Sequence, residues 1–226
     1  DEGIGHPILL GNKERIKAKI KDLALDFDPQ IINPHTCEEC EEYAKAYFEL
    51  RKRKGRTLAM SRKVMRLSTV YAPMMIHMGA ADAVVSGLTF EYPQVIRPAL
   101  KIHHTAEGTD HVAGLYVMIV DAKAYIFADT TINIDPSAED LVEIASLAAD
   151  FAKTIEIDPR VAFLSFSNFG ATPHAHSRKV AEAVKLTKEK RPDLVVDGEM
   201  QADTAVVTDL IENRYPFSKV KDANVL

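Results

Sequence analysis

Two arginines stand where a guanidinium has little local reason to be. Arg51 continues the apolar face of a helical run, three and four residues past Phe48 and Tyr47, so its charge is directed towards a core or an adjoining cleft. A cation in the last turn of a helix also complements the helix dipole, which suffices for Lys52 and Lys54 but explains less at Arg51. Arg97 is a lone cation among Val95, Ile96, Pro98, Ala99 and Leu100. Planar guanidinium groups fit phosphate oxygens through paired hydrogen bonds. Together the two suggest a phosphorylated ligand, with structural ion pairs as the competing use.

Small and polar groups close four apolar runs: Val85-Ser86-Gly87, Phe127-Ala128-Asp129-Thr130, Leu164-Ser165-Phe166-Ser167 and Val196-Asp197-Gly198-Glu199. In open α/β sheets ligands sit beyond the carboxyl ends of the strands, where loops and helix N-termini converge. A turn or helix cap accounts for Ser86 and Ser167 taken singly. A carboxylate that follows a buried strand needs a partner to offset its desolvation, which favours a functional role for Asp129 and for Asp197 with Glu199. The same acids with Asp203 could hold Mg²⁺, a use ranked below hydrogen bonding in a cleft. The loop over residues 165–172 contains Gly170, a possible anion cradle, but lacks the P-loop and G-x-G-x-x-G patterns.

Cys37-Glu38-Glu39-Cys40, with His35 before it, could contribute to a zinc site, but a structural site needs four ligands and no second cysteine pair exists. Both cysteines are read as ordinary residues at a helix start, outside any disulfide framework. No nucleophile elbow of the G-x-S-x-G type is present, which argues against a serine hydrolase.

These groups need a scaffold, and hydrophobic periodicity supplies one. Helices are predicted over residues 13–25, 38–54, 57–66, 93–102, 137–155, 177–190 and 199–207. Gly55 ends the second of these, and Ser137 with Asp140 forms a capping box at the start of the fifth. Strands are predicted over residues 30–33, 83–86, 112–120, 124–127, 161–164 and 194–196. The polar stretch over residues 105–110 marks a domain junction, dividing the chain into α/β subdomains at 1–106 and 107–226. With 46% hydrophobic residues, no bilayer-length apolar run and a formal charge of −5 without a basic block, neither a membrane protein nor a nucleic-acid binder is expected. Without a secretory leader, the expected location is the cytoplasm. The chain begins at Asp1 and stops inside an apolar stretch at Leu226, so it is read as an excised piece truncated at both ends.

The motifs Phe48-Glu49-Leu50-Arg51-Lys52, Val84-Val85-Ser86-Gly87, Ile96-Arg97-Pro98-Ala99-Leu100, Phe127-Ala128-Asp129-Thr130, Leu164-Ser165-Phe166-Ser167 and Asp197-Gly198-Glu199-Met200-Gln201-Ala202-Asp203 resemble, in order, the phosphate acetyltransferase family. Leu9-Leu10-Gly11-Asn12, Ser167-Asn168-Phe169-Gly170 and Tyr215-Pro216-Phe217-Ser218 look most like the phosphotransacetylase-like half of hybrid NADP-linked malic enzymes. The resemblance implies an α/β fold of two three-layer α/β/α subdomains, similar to isocitrate and isopropylmalate dehydrogenases, with coenzyme A in the cleft between them. The first subdomain is expected to lack its first strand and the second, with a mainly parallel sheet, its C-terminal part.

On this resemblance Arg51 and Arg97 contact phosphate or coenzyme A. The expected ligand-binding set is Arg51, Arg97, Ser86, Gly87, Asp129, Thr130 and Ser165, with Asp197 and Glu199 as acids of the cleft; no catalytic residue and no metal ligand are assigned. Two departures count against acetyl-phosphate turnover. Residues 90–94 replace a Ser/Thr/Asp-rich segment, and Phe169-Gly170 replaces a lysine-glycine pair. The resemblance also places the family's catalytic aspartate and a Ser-Arg pair beyond Leu226. The favoured expectation is therefore a catalytically silent regulatory module that binds acetyl-CoA within an NADP-dependent malic enzyme, which would hold NADP and a divalent metal in its own malate-oxidising region. A working phosphate acetyltransferase using acetyl-CoA and acetyl phosphate, and a purely structural oligomerisation domain, are the alternatives. A homo-oligomer is expected in each case.

Overall fold

Apolar residues at helical spacing and along alternating strands give one buried cluster in the first unit and two in the second. The computed structural model describes residues 3–105, 109 and 111–226, and the chain divides into units Asp1–His104 and Thr105–Leu226. Asp1, where the chain was read as cut, and most of the expected junction, residues 106–108 and 110, lie outside the described residues.

In the first unit, β1 (Ile8–Leu10) runs parallel to β2 (Gln30–Ile32). Between them lies α1 (Lys13–Asp22), capped by Asn12, whose side chain accepts from the Arg15 N–H. Helices α2 (Cys40–Arg51), α3 (Leu58–Met65), α4 (Ser68–His77) and α5 (Tyr92–His103) follow. Their core is Tyr43, Ala44 and Tyr47 of α2 with Met65, Val70, Tyr71, Met74 and Ile102. The rings of Tyr43 and Tyr71 stack at 5.0 Å.

The helix predicted over residues 38–54 is α2 followed by a tight 3₁₀ turn at Lys52–Lys54, and Gly55 ends it at φ 76°. The sequence reading missed α4, which lacks a side-chain cap and carries Pro73 inside it. Residues 83–86, predicted as a buried strand, form none. No neighbouring strand takes their backbone groups, and Val85 is fully exposed.

Cys37 and Cys40 are also corrected. They are joined by a disulfide with Cα atoms 5.4 Å apart, a spacing well suited to the bond.

In the second unit, β3 (Leu115–Val120) pairs antiparallel with β4 (Lys123–Ala128), and β5 (Arg160–Leu164) pairs parallel with β6 (Val195–Met200). Val225 bridges β4 and β5, parallel to both. The Leu226 N–H donates to Ile126 at 2.8 Å and the Ala162 N–H to Val225 at 2.9 Å. The apolar stretch at the chain end thus joins the two pairs into one mainly parallel sheet.

Alternation along β5 divides its side chains between two faces. Val161 and Phe163 meet α6 (Ala138–Thr154) and α7 (Ala175–Lys190) through Ala148, Ala149, Ala152, Ala183 and Val184. Ala162 faces the opposite layer, where Ala205 of α8 (Ala202–Val206) and Ile211 of α9 (Thr208–Arg214) pack with Met200 and Val220. The second unit is therefore three-layered. The helix predicted from residue 199 begins only at Ala202, because β6 continues through Asp197, Gly198 and Glu199. Glu199 and Met200 are buried, and this burial draws them into the sheet.

Candidate functional site

In the second unit Asp129, Thr130, Ser165 and Glu199 collect at the carboxyl ends of β4, β5 and β6, whereas Asp197 lies inside β6 opposite Ala162. Asp129 follows β4 and is enclosed by donors. Its Oδ1 accepts the N–H groups of Gly114 (2.8 Å), Thr131 (3.2 Å) and Ile132 (3.3 Å), and its Oδ2 accepts the backbone and side-chain N–H groups of Asn133 (both 2.6 Å). Burial alone would raise its pKa; hydrogen bonds from Asn133, Gly114 and Thr131 outweigh burial and hold the carboxyl below its ordinary range. Asp129 is thereby a builder of the 129–133 turn.

The next residue differs. Thr130 Oγ1 is, among the described residues, the one buried side-chain polar atom without a hydrogen-bond partner. It borders a cavity of about 370 Å³ lined by Phe127, Leu141, Leu164, Val180, Ala202 and Leu226. A buried hydroxyl left unpaired costs free energy, so it marks a place where a ligand group can be accepted.

The acids of β6 are used internally. Asp197 accepts from Lys188 Nζ at 2.8 Å. Glu199 is 2% exposed, and its Oε1 accepts the Ser167 hydroxyl at 3.1 Å and the Gly170 N–H at 2.6 Å. Asn168 and Gln201 exchange two further bonds, at 2.9 and 2.7 Å, and Ser165 N–H donates to the Met200 carbonyl at 2.9 Å. Together these clamp the 165–172 loop onto the end of β6. Gly198 permits the approach: its φ is 140°, and a Cβ there would lie 2.6 Å from the Phe163 carbonyl oxygen. Phe169, where the resemblance leads one to expect lysine, has φ 48° and packs against Tyr215 at 4.8 Å and Phe217 at 5.0 Å. Asp203 serves locally, accepting from the Thr204 N–H at 2.7 Å. The four acids therefore serve separate places, and no grouping of three or more metal-ligating side chains occurs among the described residues.

In the first unit, Arg51 is half-buried at the end of α2 and Arg97 is exposed on α5. Neither guanidinium has a hydrogen-bond or ion-pair partner among the described residues, although the adjacent Lys52 is paired with Glu49. Ser86 lies on the wall of a cavity of about 350 Å³ between α4 and α5, with Thr69, Pro73, Val95 and His103. Gly87 follows at φ 134°. Among the described residues, Arg51, Arg97 and the Ser86 hydroxyl in the first unit, and the Thr130 hydroxyl in the second, have no side-chain partner, and each is suited to an anionic oxygen. Sequence reasoning placed Thr130 in the set but gave no signal that separates it from Asp129.

Comparison with known proteins agrees with this chemistry. The chain is 42% identical over 222 residues to a phosphate acetyltransferase of Bacillus subtilis, covering 97% of this chain and 68% of that protein. It is 37% identical to one of Clostridium acetobutylicum, covering 100% and 70%. In longer relatives the match is partial: it spans 32% of the phosphate acetyltransferase of a Synechocystis species, at 38% identity. A phosphotransacetylase structure from Streptococcus pyogenes superposes with a TM-score of 0.88 at 37% identity, over 99% of this chain and 69% of that one. The EutD phosphotransacetylase of Staphylococcus aureus gives 0.84 at 35% identity, over 97% and 68%. These likenesses establish the mixed α/β phosphotransacetylase fold.

They also overturn the expectation of a silent regulatory module in an NADP-dependent malic enzyme, since the proteins matched over nearly the whole chain are themselves phosphate acetyltransferases. The family model described as Phosphate acetyl/butaryl transferase matches residues 1–226, and the chain belongs to that family.

Proposed function

We propose that the full-length protein transfers an acetyl group between acetyl-CoA and inorganic phosphate. The observation that carries this reading is the identity of 37–42% to phosphate acetyltransferases across 97–100% of the chain. In the direction of thioester formation, the thiolate sulfur of coenzyme A attacks the carbonyl carbon of acetyl phosphate. The bond from that carbon to the phosphate oxygen breaks, and acetyl-CoA and phosphate leave. Arg51 and Arg97 hold phosphate oxygens of the substrates, the Thr130 hydroxyl donates to a substrate oxygen, and Ser86, Gly87 and Ser165 complete the contacts. Asp129 and Glu199 position the turns that carry Thr130 and Ser165. A cytoplasmic location and assembly into a homo-oligomer belong to the same reading.

The test is thioester formation by the full-length protein from acetyl phosphate and coenzyme A. Turnover is expected in the wild type. Arg51→Ala and Arg97→Ala should each lower kcat/KM about 10- to 100-fold, the loss of one charged hydrogen-bonding group in a bound complex. Thr130→Val should weaken substrate binding while leaving stability unchanged or raising it by up to about 1 kcal/mol, because it removes an unpaired buried hydroxyl. Absence of wild-type turnover would overturn the proposal.

A further inference from the structure

We infer that Cys37 and Cys40 form a reversible dithiol–disulfide site, opened and closed by exchange with an external dithiol. The inference is independent of acetyl transfer and rests on four features of the pair. The cysteines are the only two in the chain, so once bridged they leave no alternative internal pairing. Both are half-buried, and Glu38 and Glu39 between them are exposed, so a thiol reagent can reach the bond.

The bridge spans a sequence separation of only three residues. Closing so short a loop removes little entropy from the unfolded chain, unlike a staple between distant segments, so the fold loses only modest stability when the bond is opened.

The surroundings accommodate both states. Cys40 is the first residue of α2, so the bridge closes at the start of the helix. Its Sγ lies 3.1 Å from the Pro34 carbonyl oxygen, an acceptor for the S–H of the opened form. The residue preceding α2, Glu39, makes no side-chain cap hydrogen bond, so in the closed form the covalent loop holds the first turn of the helix.

On opening, a thiolate of the external dithiol attacks one sulfur of the bridge. A mixed disulfide forms and the other cysteine leaves as thiolate, taking up a proton. The second external thiol then attacks the mixed disulfide, so two electrons and two protons pass to the cysteine pair and the reagent leaves as a disulfide. Closing is the reverse reaction with an oxidised dithiol.

The test uses the full-length protein in buffers of reduced and oxidised dithiothreitol at varied ratio. Cys37 and Cys40 are scored by alkylation and peptide mass, and the melting temperature is followed in parallel. The expected result is a single two-electron transition between an unalkylated and a doubly alkylated peptide. Opening should lower Tm by roughly 2–8 °C and speed amide exchange in the first turn of α2. The variant Cys37→Ser/Cys40→Ser should melt near the opened wild type and ignore the buffer ratio. Two thiols that stay free in excess oxidised reagent, a bridge that resists excess reduced reagent in the folded protein, or a Tm that does not change between the two states would each overturn the inference. The wild-type measurement stands even if the double variant fails to fold.

Discussion

Asp129 and Thr130 are neighbours with opposite accounts. The carboxylate has five donors within 3.3 Å, whereas the hydroxyl beside it has none. The depressed pKa of Asp129 means that the folded state binds its proton less readily than the unfolded chain does. Its stabilisation is fully present above the unfolded carboxyl pKa of about 3.9, and is lost as pH falls through the lower folded value. Asp129→Asn should therefore unfold more easily than the wild type at neutral pH and show a shallower loss of stability below about pH 4. Urea titrations of both proteins at several pH values would check this; an unchanged acid limb would show that the cage around Asp129 contributes nothing. Asp135, Asp140 and Asp193 are also depressed, so the limb should flatten only in part.

Among the elements, α6 depends most visibly on its start. Ser137 Oγ accepts the Asp140 N–H at 3.1 Å, and Asp140 Oδ2 accepts the Ser137 N–H at 2.8 Å, satisfying two donors that the helix leaves unpaired. From there its 17 residues lay Val142, Ala145, Ala148, Ala149 and Ala152 inward. The alanines allow a close approach to the sheet, and they offer little side-chain area to compensate a frayed first turn. Ser137→Ala should cost about 1 kcal/mol, read as a lower urea midpoint at unchanged slope. The capping box and the apolar stripe were legible in the sequence because both are local. Helix α4 was not, since Pro73 and the uncapped Leu67 are local signals against a helix, and burial of Tyr71 and Met74 overrides them.

At the scale of the molecule, the two units have separate cores. The buried cluster containing Tyr43, Tyr71 and Met74 lies wholly in the first unit, and those around Val161 and Ala162 lie wholly in the second. No described helix is long and apolar enough to cross a membrane. Met74 is fully buried, so Met74→Ala should destabilise the first unit by about 2–5 kcal/mol. Hydrogen exchange should quicken in α2, α4 and α5 while β5 and β6 keep their protection. Equal loss of protection in β5 and β6 would show that the units unfold as one.

The order of motifs from Arg51 to Asp203, the α/β alternation and the membership of a transferase family followed from the sequence by itself, because motif identity and hydrophobic period are properties of short stretches of chain. The tertiary structure decided which polar groups remain available. Glu199 meets Ser167 and Gly170 from about thirty residues away. Asp129 takes the Gly114 N–H from the start of the β3–β4 hairpin. These partners are set by strand pairing and loop closure, which no local pattern encodes. Residues read as equivalent polar strand ends therefore separate into acids held inside the scaffold and a hydroxyl left free.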